Sequence, residues 1–167
     1  MSLQLPKSFA GFSLFVDGIG YAGKVVEAKP PALKIKTEDL EAGGLSGTVT
    51  LDMGYLEKLE FSATVAEFTP ELHTVLGKPN LLYSLRAAQG EGGNFEAVVY
   101  QMRGPLNELE TDAFKRGGQT AIKLAGVVRA FKLSIGGREV WNVDIEAGTR
   151  IIGGVDQMAG LRSALGY

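Results

Sequence analysis

The chain has no cysteine, which excludes a disulfide framework, a thiolate nucleophile and any zinc site with thiolate ligands. That absence fits a protein made in a reducing cytosol. Histidine is almost missing too. His73 is the single copy, so a metal centre or catalytic dyad would have to recruit its partners from other residue types. There is no excess of positive charge: Lys+Arg number 17 against 19 Asp+Glu, for a net charge of -2. Binding nucleic acid through its phosphates draws on a basic surplus, because counterion release drives it. No apolar run approaches the roughly 20 residues of a membrane span. The apolar stretch 12–16 near the N-terminus is too short for a signal peptide, and no cleavage site follows it. These gaps together describe a soluble chain with no membrane anchor and no cofactor.

What is abundant is glycine. The chain has 23 in 167 residues, about 14% and roughly twice the usual share. The glycines follow no fixed period and flank β-branched or aromatic segments, which indicates many tight turns between strands. A chain of this length fits one domain, here residues 1–167, burying roughly 70% of its unfolded surface without disulfides or metal.

Along the chain, residues 12–16 form an apolar strand, Asp17-Gly18 a tight turn and 21–28 the return strand, stopped by Pro30-Pro31. Residues 33–41 and 48–53 make a second pair, broken by Gly43-Gly44. In the latter, Val49, Leu51 and Met53 alternate with Thr48, Thr50 and Asp52, the period of two of a strand with one wet face. Residues 56–68 continue the pattern. The one central helix signal is 69–77, with Thr69 as N-cap, Pro70 at the first helical position and Gly77 as stop. Strands follow at 81–87, 95–103 and through a long apolar stretch, 122–135. Gly136-Gly137 marks a hairpin into 139–145. The tail 154–165 has the pattern of a short amphipathic helix, with Asp156 as N-cap and Met158, Leu161 and Leu165 near one side. The predicted fold is mainly β: an antiparallel β-sandwich or barrel with one short central helix and a short C-terminal helix.

Three features invite a chemical reading, and each has a plainer one. Gly18-Ile19-Gly20-Tyr21-Ala22-Gly23 matches the dinucleotide fingerprint, with Glu38, Asp39 and Glu41 about 20 residues on. The pyrophosphate needs a helix starting inside that motif. Here only six residues lead to two prolines, so a hairpin turn is the better account. His73 stands in a short polar helix without partners, and no G-x-S-x-G occurs. Glu108, Glu110 and Asp112 alternate along one strand face, spaced about 7 Å apart, too far to chelate one ion unaided. No catalytic, cofactor or metal residues are assigned. What remains is assembly, through strand edges such as 48–53 and 122–128 that carry little edge defence.

Several segments, in order along nearly the whole chain, resemble one known family. They are Leu14-Phe15-Val16-Asp17-Gly18-Ile19-Gly20-Tyr21-Ala22-Gly23, Thr50-Leu51-Asp52-Met53-Gly54, Arg103-Gly104 and Gly137-Arg138-Glu139-Val140-Trp141-Asn142-Val143-Asp144. The most specific is Gly154-Val155-Asp156-Gln157-Met158-Ala159-Gly160-Leu161-Arg162. The chain is similar to the major tail tube proteins of P2-like contractile phages and R-type pyocins. The resemblance implies a structural virion subunit, made in the host bacterial cytoplasm, that self-assembles into stacked hexameric rings around a lumen. It also implies partners: further copies of itself, a tail sheath, a tape-measure protein, baseplate and tail terminator proteins, and DNA that passes through without specific binding. The alternatives are a type VI secretion-like ring protein, which shares the architecture, and a small-ligand-binding β-barrel.

On that resemblance two hairpins, 33–53 and 105–131, are expected to line the lumen. Thr48, Thr50 and Asp52 would form one wet face; Glu108, Glu110 and Asp112, with Gln119 and Lys123 on the opposite arm, would form the other. An acidic or neutral lining offers DNA no phosphate-neutralising contacts. Two glycine- and charge-rich loops are expected to order only on assembly: 38–47, with Glu41, Gly43 and Gly44, and 110–120, with Lys115, Arg116 and Gly117.

Overall fold

A computed structural model describes residues 6–167. Fourteen strands and two short helices follow one another along this stretch. Strands β1 (Phe9–Val16), β2 (Ile19–Gly20), β7 (Leu81–Glu91), β8 (Asn94–Gly104), β11 (Ala130–Ile135), β12 (Arg138–Asp144), β13 (Thr149–Ile152) and β14 (Val155–Asp156) form an eight-stranded antiparallel sheet, in the order β14-β13-β12-β11-β8-β7-β1-β2. A four-stranded sheet has the order β3-β6-β10-β9, from β3 (Val25–Lys29), β6 (Glu60–Val65), β10 (Ile122–Val127) and β9 (Leu106–Thr111). The third sheet is a lone hairpin of β4 (Ile35–Leu40) and β5 (Val49–Leu56). Helices α1 (Pro70–Thr74) and α2 (Ala159–Leu165) complete the order. The sheets are open, and no barrel closes among the described residues.

The core lies between the two larger sheets. Strict alternation on β6 and β10 sends Phe61, Ala63, Val65, Ile122 and Leu124 inward, where they meet Leu14, Val16, Tyr83, Met102 and Phe131 of the larger sheet. The rings of Phe61 and Tyr83 touch across the interface, with centroids 4.3 Å apart. Tyr83 is buried, and desolvation together with the charge of Asp17 raises its phenol pKa. Burying alternate residues of paired strands is what fixes their register, since a one-residue slip would bring Ser62 and Lys123 inward.

The chain changes sheet at one corner. β8 runs into β9 through Gly104-Pro105, while the stretch expected as one strand at 122–135 divides into β10 and β11 at Val128-Arg129. Val128 N–H donates to Leu59 C=O (2.8 Å) and Arg129 N–H to Arg103 C=O (2.8 Å), one bond to each sheet. A Cβ on Gly104 would lie 2.0 Å from the Val127 carbonyl oxygen, so the two crossing chains can touch only at a glycine. The division also puts β10 between β6 and β9, at the centre of its sheet; it is not a free edge as the sequence suggested.

The N-terminal hairpin differs as well. Asp17 (φ 51°) and Gly18 (φ 84°) make the expected tight turn, but the return strand paired with β1 is only Ile19–Gly20. Tyr21 then buries its side chain, and β3 leaves for the other sheet. The Gly18–Gly23 motif therefore leads into a strand, without the helix a dinucleotide would need. The Gly136-Gly137 hairpin forms as predicted, both glycines at positive φ. Thr69 stands at the N-cap of α1 and Pro70 in its first turn, but the Thr69 hydroxyl makes no capping bond; its carbonyl accepts from His73 Nδ1 (2.9 Å) instead. No helix among the described residues is long and apolar enough to cross a membrane.

Candidate functional site

Three surfaces of the subunit are built in ways that a solitary protein does not need. The first is the outer face of the four-stranded sheet. Alternation that buries Phe61, Ala63, Ile122 and Leu124 turns Glu60, Ser62, Thr64, Lys123 and Ala125 outward, and Glu108 and Glu110 of β9 pair with Ala125 and Lys123 on that same side. Asp112, just past β9, reaches Lys123 Nζ at 2.9 Å. This contact, with the charge of Glu110, raises the lysine pKa. The acidic trio thus shares one face, as its spacing suggested, although a bulge between Leu106 and Glu108 resets the alternation at the start of β9. Gln119 does not join it. It lies in the connection before β10, off the strand, because the turn around Gly117 uses up the residues the sequence assigned to that arm.

The second surface is the β4–β5 hairpin. Both its faces are open to solvent, so Leu40, Val49, Leu51 and Met53 remain about 40–45% exposed. On the other face Thr50 donates to Asp39 (2.9 Å) and Thr48 to Glu41 (3.3 Å), while Asp52 accepts from Gly54 N–H (2.7 Å). Thr48, Thr50 and Asp52 therefore belong to a different sheet from Glu108, Glu110 and Asp112. An isolated two-stranded hairpin is marginal in water, and this one leaves its apolar side uncovered. Sequence alternation located that apolar face.

The third is the set of strand edges. The eight-stranded sheet ends in β2 and β14, two residues each, and because β2 covers only Phe15 and Val16 of β1, the first part of β1 is a free edge as well. The four-stranded sheet ends in β3 and β9, of five and six residues, and both hairpin strands have one free edge. Free edges with unpaired N–H and C=O groups are templates for pairing with another chain.

The loop residues named from sequence lie outside the regular elements. Glu41, Gly43 and Gly44 form the exposed turn between β4 and β5. Lys115, Arg116 and Gly117 form another between β9 and β10, beside Phe114, which is 78% exposed and stacks on Phe68 (centroids 5.6 Å). His73 stacks on the other side of the same cluster, 6.0 Å from Phe68. Among the described residues no group of three or more His, Asp or Glu is placed to hold a metal ion.

The C-terminal motif has a structural basis that spacing did not reveal. Asp156 is not the N-cap of α2, which begins three residues later. Its Oδ1 accepts from Met158 N–H (3.0 Å) and Arg150 N–H (3.4 Å), and its Oδ2 pairs with Arg162 (2.5 Å). Arg162 Nη1 also donates to Gly148 C=O (2.8 Å). An Asp and an Arg six residues apart therefore fasten α2 to β13, whereas the helix itself buries no residue. The Arg162 hydrogen bond, then that of Met158, lowers the Asp156 pKa. A depressed carboxylate contributes stability that is present above its unfolded pKa and lost as pH falls through the folded one. The protection of the α2 amides, measured against the intrinsic exchange rate at each pH, should thus fall as pH drops below ~3.9, and Asp156→Asn should be weakly protected at every pH. Wild-type protection that stayed constant through that window would refute the fastening.

A family model, the phage tail tube protein FII, matches residues 6–166. The chain belongs to the phage tail tube protein FII family. It is 30% identical over 146 residues to the major tail tube protein of Serratia phage KSP20, spanning 86% of this chain and 85% of that one. It is 25% identical over 180 residues to the tail tube protein of Escherichia phage P2, spanning 98% and 99%. Its fold matches a sheath-tube complex of an extracellular contractile injection system, PVC, in the extended state (TM-score 0.61, 9% identity, 79% of this chain and 93% of that chain). A tube-terminating cap of the anti-feeding prophage aligns equally well (TM-score 0.61, 9% identity, 80% and 94%). This member of the tail tube family is a structural, non-enzymatic subunit of a phage tail tube and a component of the virion.

Proposed function

We propose that the chain, acting as one tail-tube domain, assembles six to a ring and that the rings stack, with the outer face of the four-stranded sheet turned to the lumen. The observation that carries this reading is the contrast between sheets. The four-stranded sheet is polar on its outer face and keeps β3 and β9 free along their whole length to hydrogen-bond to the β9 and β3 of neighbours, whereas the eight-stranded sheet ends in two-residue strands and leaves free only the first part of β1. Continuing one sheet around the ring places Glu108, Glu110, Asp112 and Lys123 on the inner wall. Its charges are mixed: Lys123 is neutralised by Asp112 and Lys58 by Glu60, while Lys29, Lys34 and Lys36 border the same face beside Glu108. The carboxylates interspersed among these cations limit phosphate-neutralising contacts and let DNA move.

In the same reading Thr48, Thr50 and Asp52 extend the wet surface on the hairpin. The loops carrying Glu41, Gly43 and Gly44 and carrying Lys115, Arg116 and Gly117 settle against adjacent copies. A sheath surrounds the outer wall and terminator and baseplate proteins close the ends, as the sheath-tube and cap structures with this fold suggest. A tape-measure protein fills the lumen before DNA does.

The absence of cysteine makes the lumen assignment easy to test. Assembled tubes of Glu108→Cys should react with a small maleimide and resist one carried on a large polymer. Equal labelling by both reagents would put the residue on the outer wall. Cryo-EM of the tubes gives the same answer directly.

A further inference from the structure

Among the described residues Arg150 is the one charged residue with a buried side chain, at 6% exposure. Its Nε and Nη1 have no hydrogen-bond partner among the described residues. The nearby carboxylates are already engaged. Asp144 holds Arg103 (3.3 Å) and the Ala147 N–H (3.0 Å), and Asp156 holds Arg162 and two backbone N–H groups. A guanidinium cannot escape by losing its proton, so a buried one without an anion is an unfinished site. It lines a cleft of about 240 Å³ whose other walls include Tyr55, Leu56, Val143, Asp144, Ile145 and Met158. The walls are mostly apolar, and the one carboxylate among them, Asp144, is the one held by Arg103 and the Ala147 N–H.

The complementary surface is on the hairpin. Its apolar face presents Leu40, Val49, Leu51 and Met53 together with one carboxylate, Glu38, which lies opposite Leu51. Of the hairpin's four acids, Asp39, Glu41 and Asp52 are hydrogen-bonded to Thr50, Thr48 and Gly54; Glu38 has no such partner among the described residues. It is not in reach of its own cleft. Gly54, the nearest lining residue on β5, is three positions from Leu51, roughly 10 Å along a strand.

We propose that the apolar face of the β4–β5 hairpin of one copy seats in this cleft of the next, with Glu38 paired to Arg150. This contact rests on the tail-tube reading above and specifies one of its interfaces. It is head-to-tail, hairpin of one copy to cleft of another, so it propagates around a ring or along a stack. Pairing also removes the penalty of the lone buried charge. That penalty favours the assembled state over the free subunit without adding any apolar surface.

The test uses the cysteine-free background. Tubes formed from the double variant Glu38→Cys, Met158→Cys should, on oxidation, give a ladder of covalently linked chains on a non-reducing gel. Tubes that form normally yet give no ladder, or only a bond within single chains, would overturn the contact while leaving the tube reading intact. Glu38→Arg, a change at an exposed position, should lower tube yield at least ten-fold with the monomer's circular dichroism unchanged. Adding Arg150→Glu to it should restore assembly. Normal tubes from Glu38→Arg alone would also overturn the pairing. Failure of the wild-type chain to form rings or tubes at any concentration would instead overturn the tube reading, and the pairing with it.

Discussion

Protein carrying Leu51→Asp is expected to fold and melt like the wild type and to form no tubes. Leu51 is 44% exposed in the free subunit, on the uncovered apolar face of a hairpin that meets the core only near its base, at Leu56. Substitutions at such positions usually change stability by less than about 0.5 kcal/mol. Assembly is a different matter. Full burial of a leucine contributes ~1.5–3 kcal/mol, and the exposed part of Leu51 has about half of that still to gain at an interface. An aspartate there forfeits this gain and must also be desolvated without a partner, at a cost of about 1–3 kcal/mol or more. Each subunit makes the contact, so the loss multiplies along the polymer. Sedimentation and negative-stain microscopy would read out tubes, and a thermal melt would confirm the monomer. Tubes at wild-type yield would mean that the hairpin face is not an assembly surface.

The second large effect concerns the fold. Phe61→Ala should destabilise the monomer by ~3–5 kcal/mol, measured by urea or thermal unfolding. Phe61 is 3% exposed, packs on Tyr83 of the opposite sheet and lies over Gly126, where a Cβ would come within 2.6 Å of its ring. The cavity left by its removal has rigid walls: β10 is held between two strands, and Gly126 has no side chain to lean in. Collapse is therefore limited. A loss below about 1 kcal/mol would show that the two sheets close up around the gap, and that Phe61 is not what keeps them in place.

Other features were readable from sequence to different depths. Alternation on residues 60–65 gave the buried set directly, because a strand packed on one face imprints its period on the chain. The turns at Asp17-Gly18 and Gly136-Gly137 were equally plain, since their positive φ values demand those residues. The break at Val128-Arg129 was not, because both sides are apolar and the change of sheet is enforced by Leu59 and Arg103, far away in sequence. Gln119 was placed on a strand for a similar reason: a loop that turns at Gly117 is indistinguishable, in composition, from the end of a strand. Asp156 looked like a helix cap because Asp before a helix usually is one; that it fastens β13 and Arg162 depended on where Gly148 and Arg150 come to lie.

By itself, the sequence determined that this is a glycine-punctuated β protein without cysteine and without a surplus of basic residues, and it contained the tail-tube motifs. It also determined which residues alternate, and therefore that Val49, Leu51 and Met53 share one face and Glu108 and Glu110 another. Only the tertiary structure decided which of those faces is covered. Burial is a property of pairs of surfaces: the partner of the β6 and β10 face is the eight-stranded sheet, whereas the apolar side of the β4–β5 hairpin has no partner within the described chain. The same pattern of residues is a core in one case and an uncovered surface in the other.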